Sequence, residues 1–84
     1  MPIPLKIRIY SKKECHLCDV AKKVLDRFAE TYPLFVQEID IEQNREAFEK
    51  YQYEIPVIFL EGTKLFKYQI NEKKLRKAIE SRLR

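Results

Sequence analysis

The sequence predicts an α/β domain in which strands and helices follow the order βαβαββα. Three observations support this order: an alternating strand followed by a long amphipathic helix and another strand, a late hairpin signal at the only glycine, and a closing amphipathic helix. A strand, a helix and a strand at this spacing require a right-handed parallel crossover, and the hairpin adds an antiparallel pair. We therefore expect a mixed four-stranded sheet with helices on both faces. A chain of 84 residues supports one hydrophobic core, so residues 1–84 are predicted to form a single domain.

The first half of the chain carries the strongest periodic signals. Apolar and polar residues alternate over 5–10, which predicts a strand, and the polar segment 11–14 is expected to end it. From Cys15 onward apolar residues recur at steps of three and four, which predicts a helix that ends near Tyr32, before Pro33. The apolar stripe of this helix consists of Leu17, Val20, Ala21, Val24, Leu25 and Phe28.

The middle of the chain predicts a second strand and a short helix. Residues 34–41 are rich in apolar and β-branched side chains, which favours a strand. Residues 40–43 then form a turn that leads to a short helix. In this helix Ala47, Phe48 and Tyr51 share a face that we expect to be buried.

The second half predicts a hairpin. Residues 57–60 form a continuous apolar run, which is typical of a strand covered on both sides. Gly62 marks a tight turn, and residues 64–68 are predicted to be the partner strand.

The last predicted element is a helix with one apolar and one cationic side. Asn71 is the expected N-cap and Glu72 lies in the first turn. The inward stripe consists of Leu75, Ala78, Ile79 and Leu83. The cations are Lys73, Lys74, Arg76, Lys77, Arg82 and Arg84, interspersed with glutamates. We interpret them as a solvated helix face, and with a net charge of only +4 we expect no nucleic-acid partner.

The cysteines and the N-terminal segment bear on the compartment. Residues 1–6 hold no apolar run of signal-peptide length and no stretch approaches a membrane span, so we expect a cytoplasmic protein without a membrane partner. Thiols in that compartment are kept reduced. Two cysteines three positions apart, Cys15 and Cys18, are therefore expected to be redox-active or to bind a metal.

The two cysteines lie where the first strand gives way to the long helix. The free N–H groups and the positive dipole end of a helix favour a thiolate at Cys15, and the thiolate is the attacking species. Cys18 lies one turn further into the helix on the same face, so it can attack a mixed disulfide formed at Cys15. The spacing predicts that Cys15 is the exposed nucleophile and that Cys18 is the buried resolving thiol.

Several neighbours could act on this pair. Lys12 and Lys13 add positive charge that either lowers the pKa of the Cys15 thiol or attracts an anionic thiol such as glutathione, and Lys13 is equally well explained as a solvated lysine. His16 is interpreted as a first-turn residue that tunes the thiolate, with a proton donor or a metal ligand as the alternatives. Pro56 begins an otherwise central strand, which a cis Ile55–Pro56 bond facing a substrate groove would explain.

Two segments resemble the glutaredoxins. Residues 9–18 read IYSKKECHLC and residues 55–57 read IPV. The first is similar to the glutaredoxin strand, Tyr-Ser/Thr-Lys and CxxC, and the second to the loop with a cis proline. The Cys-x-Leu-Cys form and the short chain look closer to the small glutaredoxin-like family than to an ordinary glutathione-dependent glutaredoxin. Phe66 and Lys67 stand where the common glutaredoxin pattern has two glycines.

The resemblance implies a thioredoxin-like fold and a role for each matching residue. Cys15 would be the nucleophile, Cys18 the resolving cysteine and Pro56 the proline that shapes the groove. The backbone of Ile55 would pair with the bound thiol peptide, and Lys12 would contact a glutathione carboxylate.

The sequence therefore predicts a thiol-disulfide oxidoreductase that acts as a monomer on disulfide-containing proteins or on mixed disulfides of glutathione. No tightly bound cofactor is expected, and glutathione or a thioredoxin-reductase-type enzyme would supply electrons. One alternative is an iron-sulfur or other metal site, in which Cys15 ligates together with an external thiol or a second subunit, because one CxxC cannot fill four positions. The other alternative is a non-catalytic interaction module of the same fold.

Overall fold

The computed structural model describes residues 3–84 and gives the order βαβαββα that the sequence predicts. The strands are β1 (Leu5–Ser11), β2 (Leu34–Asp40), β3 (Val57–Leu60) and β4 (Thr63–Lys67). The helices are α1 (His16–Thr31), α2 (Arg45–Tyr51) and α3 (Glu72–Arg82), and a 3-10 turn over Ile41–Gln43 precedes α2. Met1 and Pro2, the first residues of the segment used to predict the compartment, lie outside the described residues. Among helices within 3–84, none combines the length and the apolar character needed to cross a bilayer.

The four strands form one mixed sheet in the order β2-β1-β3-β4. β1 runs parallel to β2, as the helical crossover requires, and antiparallel to β3. β3 and β4 form the predicted hairpin. Its two turn residues, Glu61 and Gly62, have φ values of 49° and 85°, and a two-residue hairpin turn with positive φ matches the right-handed twist of its strands.

Helices cover both faces of the sheet, as predicted. On one face Leu5, Ile7 and Ile9 of β1 pack in a single core cluster with residues of α1 and α3. On the other face Tyr10 lies with its ring centroid 4.6 Å from that of Tyr51 in α2. It also makes an edge contact with Phe59 of β3, with centroids 5.7 Å apart. The first face therefore holds the main core, and α2 closes one end of the second.

The predicted apolar stripe of α1 is wrong at its first two members, Leu17 and Val20. The buried set is Cys18, Ala21, Val24, Leu25 and Phe28. Leu17 and Val20 are instead 47% and 45% exposed. A helix turns by about 100° per residue, so Leu17 points well away from the inward direction that Cys18 takes. Cys18, and not Leu17, therefore faces the core at the start of α1.

Smaller differences concern the ends of elements. β1 extends through Ser11, which is buried and pairs with Asp40 of β2, whereas the sequence predicts that the polar segment 11–14 ends the strand before Ser11. β4 begins and ends one residue earlier than predicted. Phe48 and Leu83 are 38% and 40% exposed, because α2 covers only part of the sheet and Leu83 caps the end of α3.

Candidate active site

Cys15 is the N-cap residue of α1, in extended backbone with φ −119° and ψ 105°. Its Sγ accepts a hydrogen bond from the backbone N–H of Cys18 at 3.2 Å, and its carbonyl accepts one from Asp19 at 3.0 Å. The sulfur thus takes the place of the oxygen that usually satisfies a first-turn N–H group. A negative charge on this atom is stabilised by the hydrogen bond and by the positive end of the helix.

Cys15 and Cys18 form a disulfide bond in the structure. The Cα atoms of Cys15 and Cys18 are 5.2 Å apart, within the range of disulfides. Cys15 is half-buried, whereas Cys18 is fully buried beneath it. An incoming disulfide can therefore reach Cys15 before it can reach Cys18, and this difference matches the order of exposure that the sequence predicts.

The segment that leads into Cys15 is exposed and carries the predicted cations. Lys12, Lys13 and His16 are all solvent-exposed. Within residues 3–84 none of the three takes part in an ion pair. Glu14 has a left-handed φ of 55°, and this backbone reversal turns the chain from the end of β1 into the helix start.

The proline loop lies at the same end of the sheet. The Ile55–Pro56 bond is cis, which confirms the prediction, and Pro56 is fully buried while Ile55 is half-buried. Val57, the first residue of β3, pairs with Tyr10 near the end of β1. Because Tyr10 and Cys15 are five positions apart along the chain, the strand register brings the proline loop and the cysteines to one edge.

Contacts from β4 and from the residue that follows it hold the proline loop. The backbone N–H of Tyr68 donates to the carbonyl oxygens of Pro56 at 2.8 Å and of Glu54 at 3.3 Å. Lys64 Nζ donates to Glu54 Oε1 at 2.7 Å, and this hydrogen bond lowers the pKa of the Glu54 carboxyl. The loop is thus held through its backbone by Tyr68 and through the Glu54 side chain by Lys64 of β4.

Tyr68 is a residue of this region that the sequence analysis did not single out. It has a left-handed φ of 72°, and the N–H of Gln69 donates to the carbonyl of Lys67 at 2.9 Å. Residues 67–69 therefore form a γ-turn. The sequence gives only an indirect sign that this turn is unusual, because Phe66 and Lys67 replace the two glycines of the glutaredoxin pattern. Nothing in the sequence indicates that Tyr68 has a left-handed backbone.

No metal-binding group is assembled by the described part of the chain: over 3–84 there is no set of three or more His, Cys, Asp or Glu side chains placed to hold an ion.

The chain is similar in sequence to known proteins. The family model of the Glutaredoxin-like domain (DUF836) matches residues 6–80. A glutaredoxin-like protein of Dictyostelium discoideum is 33% identical over 86 residues, covering 95% of this chain and 80% of the relative.

Solved structures agree on the fold. A Nitrosomonas europaea protein solved by NMR is 22% identical with a TM-score of 0.81, over 94% of this chain and 95% of that protein. A thioredoxin of Fasciola hepatica is 25% identical with a TM-score of 0.64, over 93% of this chain and 80% of that protein. The chain therefore has the thioredoxin-like fold that the sequence predicts.

Proposed function

The chain belongs to the family of the Glutaredoxin-like domain (DUF836), and we propose that it is a thiol-disulfide oxidoreductase that reduces disulfides through Cys15 and Cys18. One observation carries the proposal: the half-buried Sγ of Cys15 caps α1 and accepts the Cys18 N–H, with the buried Cys18 sulfur in contact beneath it. This arrangement favours a thiolate at the accessible sulfur and keeps a second thiol in reach.

The reaction proceeds in two exchange steps. The Cys15 thiolate attacks one sulfur of the substrate disulfide, the substrate S–S bond breaks, and a Cys15–substrate disulfide forms while the first substrate thiolate leaves and takes a proton. The Cys18 thiolate then attacks Cys15 Sγ, the mixed disulfide breaks, and the second substrate thiol leaves. The substrate gains two electrons and two protons, which the dithiol loses.

The surrounding residues have supporting roles in this proposal. Lys12 contacts an anionic group of the substrate, and Lys13 and His16 add exposed positive charge, His16 when protonated, that favours the Cys15 thiolate. Ile55 pairs through its backbone with the bound thiol peptide, and Pro56 shapes that edge of the groove. The fixed position of the loop, tied to Tyr68 and Lys64, supports these roles.

A thiol donor must return the two electrons. We propose glutathione or a thioredoxin-reductase-type enzyme, either of which is found in the cytosol, where a dithiol of this kind would be kept reduced. The substrates are disulfides in proteins or mixed disulfides of glutathione, and the protein acts as a monomer without a tightly bound cofactor.

The test is turnover of a small disulfide with each donor in turn: glutathione with glutathione reductase, and thioredoxin reductase alone. NADPH consumption reports turnover, and the Cys15→Ser variant is the control. We expect turnover with one of the donors and loss of it in the variant. Failure with both donors, and also with dithiothreitol, would contradict the proposal. Coloured protein would then indicate a cluster, and colourless protein an interaction module.

A further inference from the structure

The turn over residues 67–69 has a strained backbone, because its central position has a positive φ and holds a tyrosine instead of a glycine. Tyr68 has φ 72° and stands at the centre of a γ-turn closed by the 2.9 Å hydrogen bond from Gln69 N–H to the Lys67 carbonyl. A γ-turn with positive central φ is rare, and a bulky residue in that region is an outlier. Strain of this kind persists only where the surroundings impose it, and it concentrates at functional sites.

The surroundings that impose it belong to the proline loop. The Tyr68 N–H donates to the Pro56 carbonyl at 2.8 Å and also reaches the Glu54 carbonyl at 3.3 Å. In the sheet, Lys67 is the partner of Val57, which in turn pairs with Tyr10 of β1. The strained turn therefore borders the edge that the Cys15 segment and the Ile55–Pro56 loop share.

The two side chains of this turn are available to a ligand. Tyr68 is 44% exposed, and the Lys67 Nζ lies 5.5 Å from the centroid of its ring, within the range of a cation–π contact. In the part of the chain that the structure describes, no carboxylate lies within ion-pair distance of Lys67. Lys64 of the same strand differs, because its ammonium group forms a salt bridge with Glu54 at 2.7 Å.

The cysteine side carries exposed lysines as well. Lys12 and Lys13 are exposed, and over residues 3–84 neither makes an ion pair. Two carboxylates are close in sequence, Glu14 and Asp19, and Asp19 lies 3.8 Å from the ammonium group of Lys22. Carboxylates also lie at this edge, since Asp40 pairs with Ser11 at the end of β1 and Glu54 precedes Ile55. The attraction for an acidic ligand therefore comes from the lysines without an ion pair among the described residues, Lys12, Lys13 and Lys67.

We propose that Tyr68 and Lys67 determine substrate specificity at the dithiol and favour disulfides in polypeptides that carry acidic side chains beside the cysteine. The inference rests on the proposed function and adds the class of substrate to it. The exposed ring supplies a flat apolar surface for the peptide next to the Ile55–Pro56 edge, and Lys67 pairs with a carboxylate of that peptide. A small disulfide without a peptide chain is too short to use either contact.

Single-turnover reduction of three probes tests this inference. Two probes are peptides closed by one disulfide, identical except that the residues flanking one cysteine are Glu in the first and Lys in the second. The third is hydroxyethyl disulfide. Pre-reduced protein is mixed with excess probe, and oxidation of the dithiol is followed by alkylation and mass spectrometry. We expect the Glu peptide to react about fivefold faster than the Lys peptide at low salt, and the ratio to approach one at high salt.

Three variants separate the contributions. Tyr68→Asn removes the ring but keeps a residue that tolerates positive φ, and it should slow the Glu peptide about fivefold more than it slows hydroxyethyl disulfide. Lys67→Gln leaves the turn intact and should lower the Glu-to-Lys ratio. Glu61→Asn is the matched control, because Glu61 is another left-handed non-glycine residue, with φ 49°, at the far end of β3. It should leave all three rates unchanged.

The outcomes are distinguishable. Equal rates for the two peptides, or a Tyr68→Asn protein that treats all probes as the wild type does, would overturn the specificity inference while the reduction of hydroxyethyl disulfide upholds the proposed function. A wild-type protein that reduces none of the three probes would refute the proposed function, and the inference with it. If Tyr68→Asn does not fold, an unchanged ratio in Lys67→Gln still overturns the inference.

Discussion

The sulfur of Cys15 takes a position at the start of α1 that an oxygen of Ser, Thr, Asp or Asn usually occupies. Its hydrogen bond from the Cys18 N–H spans 3.2 Å. A charged acceptor strengthens such a bond, and the helix end adds a favourable field, so both effects act on the thiolate more than on the thiol. In the proposed mechanism the backbone therefore favours the Cys15 thiolate without help from a charged side chain.

This arrangement predicts an early alkylation profile for Cys15. With single-cysteine variants, Cys18→Ser should react with iodoacetamide well below the pH at which an ordinary thiol, with a pKa of about 8.5, becomes reactive. Cys15→Ser, whose remaining thiol is fully buried, should react slowly throughout. The measurement is the rate of modification against pH by mass spectrometry. An ordinary profile for Cys15 would contradict the activation argument.

Among the elements, α1 carries one leucine on its inward side and one on its outward side, so the contributions of the two sides to stability can be compared directly. Leu25 is fully buried in the core, whereas Leu17 is 47% exposed. Leu25→Ala should lower the free energy of unfolding by about 2–5 kcal/mol, because it removes buried methyl groups and leaves a cavity. Leu17→Ala should change it by about 0.5 kcal/mol or less. Denaturant unfolding measures both changes. Equal losses of unfolding free energy would contradict the assignment of Leu25 to the side of α1 that faces the core.

The tie between β4 and the proline loop predicts a pH-dependent contribution to stability. The hydrogen bond from Lys64 lowers the pKa of Glu54 below its ordinary value of 4.5. A carboxyl whose pKa is lower in the folded state stabilises the fold above its unfolded pKa, and the contribution is lost as the pH falls through the folded pKa.

Glu54→Gln should therefore lower the melting temperature at neutral pH. The difference from the wild type should shrink as the pH falls below 4.5, the ordinary value for a Glu carboxyl, and thermal unfolding across this pH range measures it. Glu49→Gln is the control, because its partner Arg45 lies 3.7 Å away and both side chains are largely exposed. A difference that stays constant across the pH range would contradict a role for the Glu54 charge.

At the scale of the whole molecule, sheet order brings two distant segments together. β1 and β3 are neighbours, so the end of one and the start of the other share an edge, and the helix that follows β1 begins there. A site of this kind requires no additional domain. The parts that we propose for it are one helix start, one loop and the turn after β4.

Sequence reasoning reached the element order, the sheet, the cysteine pair and the cis bond at Pro56, because each leaves a local pattern of periodicity, spacing or proline placement. It did not reach the exposure of Leu17 and Val20, since a periodic stripe fixes the direction of a helix face only to within one residue's rotation. It also missed Tyr68, because a residue forced into positive φ by its hydrogen-bond partners carries no mark of that in its own identity.

The most direct test of the account is to trap the mixed disulfide. In the Cys18→Ser variant the first exchange can occur and the second cannot, so the reduced variant is mixed with a disulfide-bearing peptide and the products are digested and weighed by mass spectrometry. We predict a stable adduct at Cys15, and no adduct in the Cys15→Ser variant under the same conditions. An adduct at Cys18 of the Cys15→Ser variant, with Cys15 unmodified in its counterpart, would reverse the assigned roles and contradict the account.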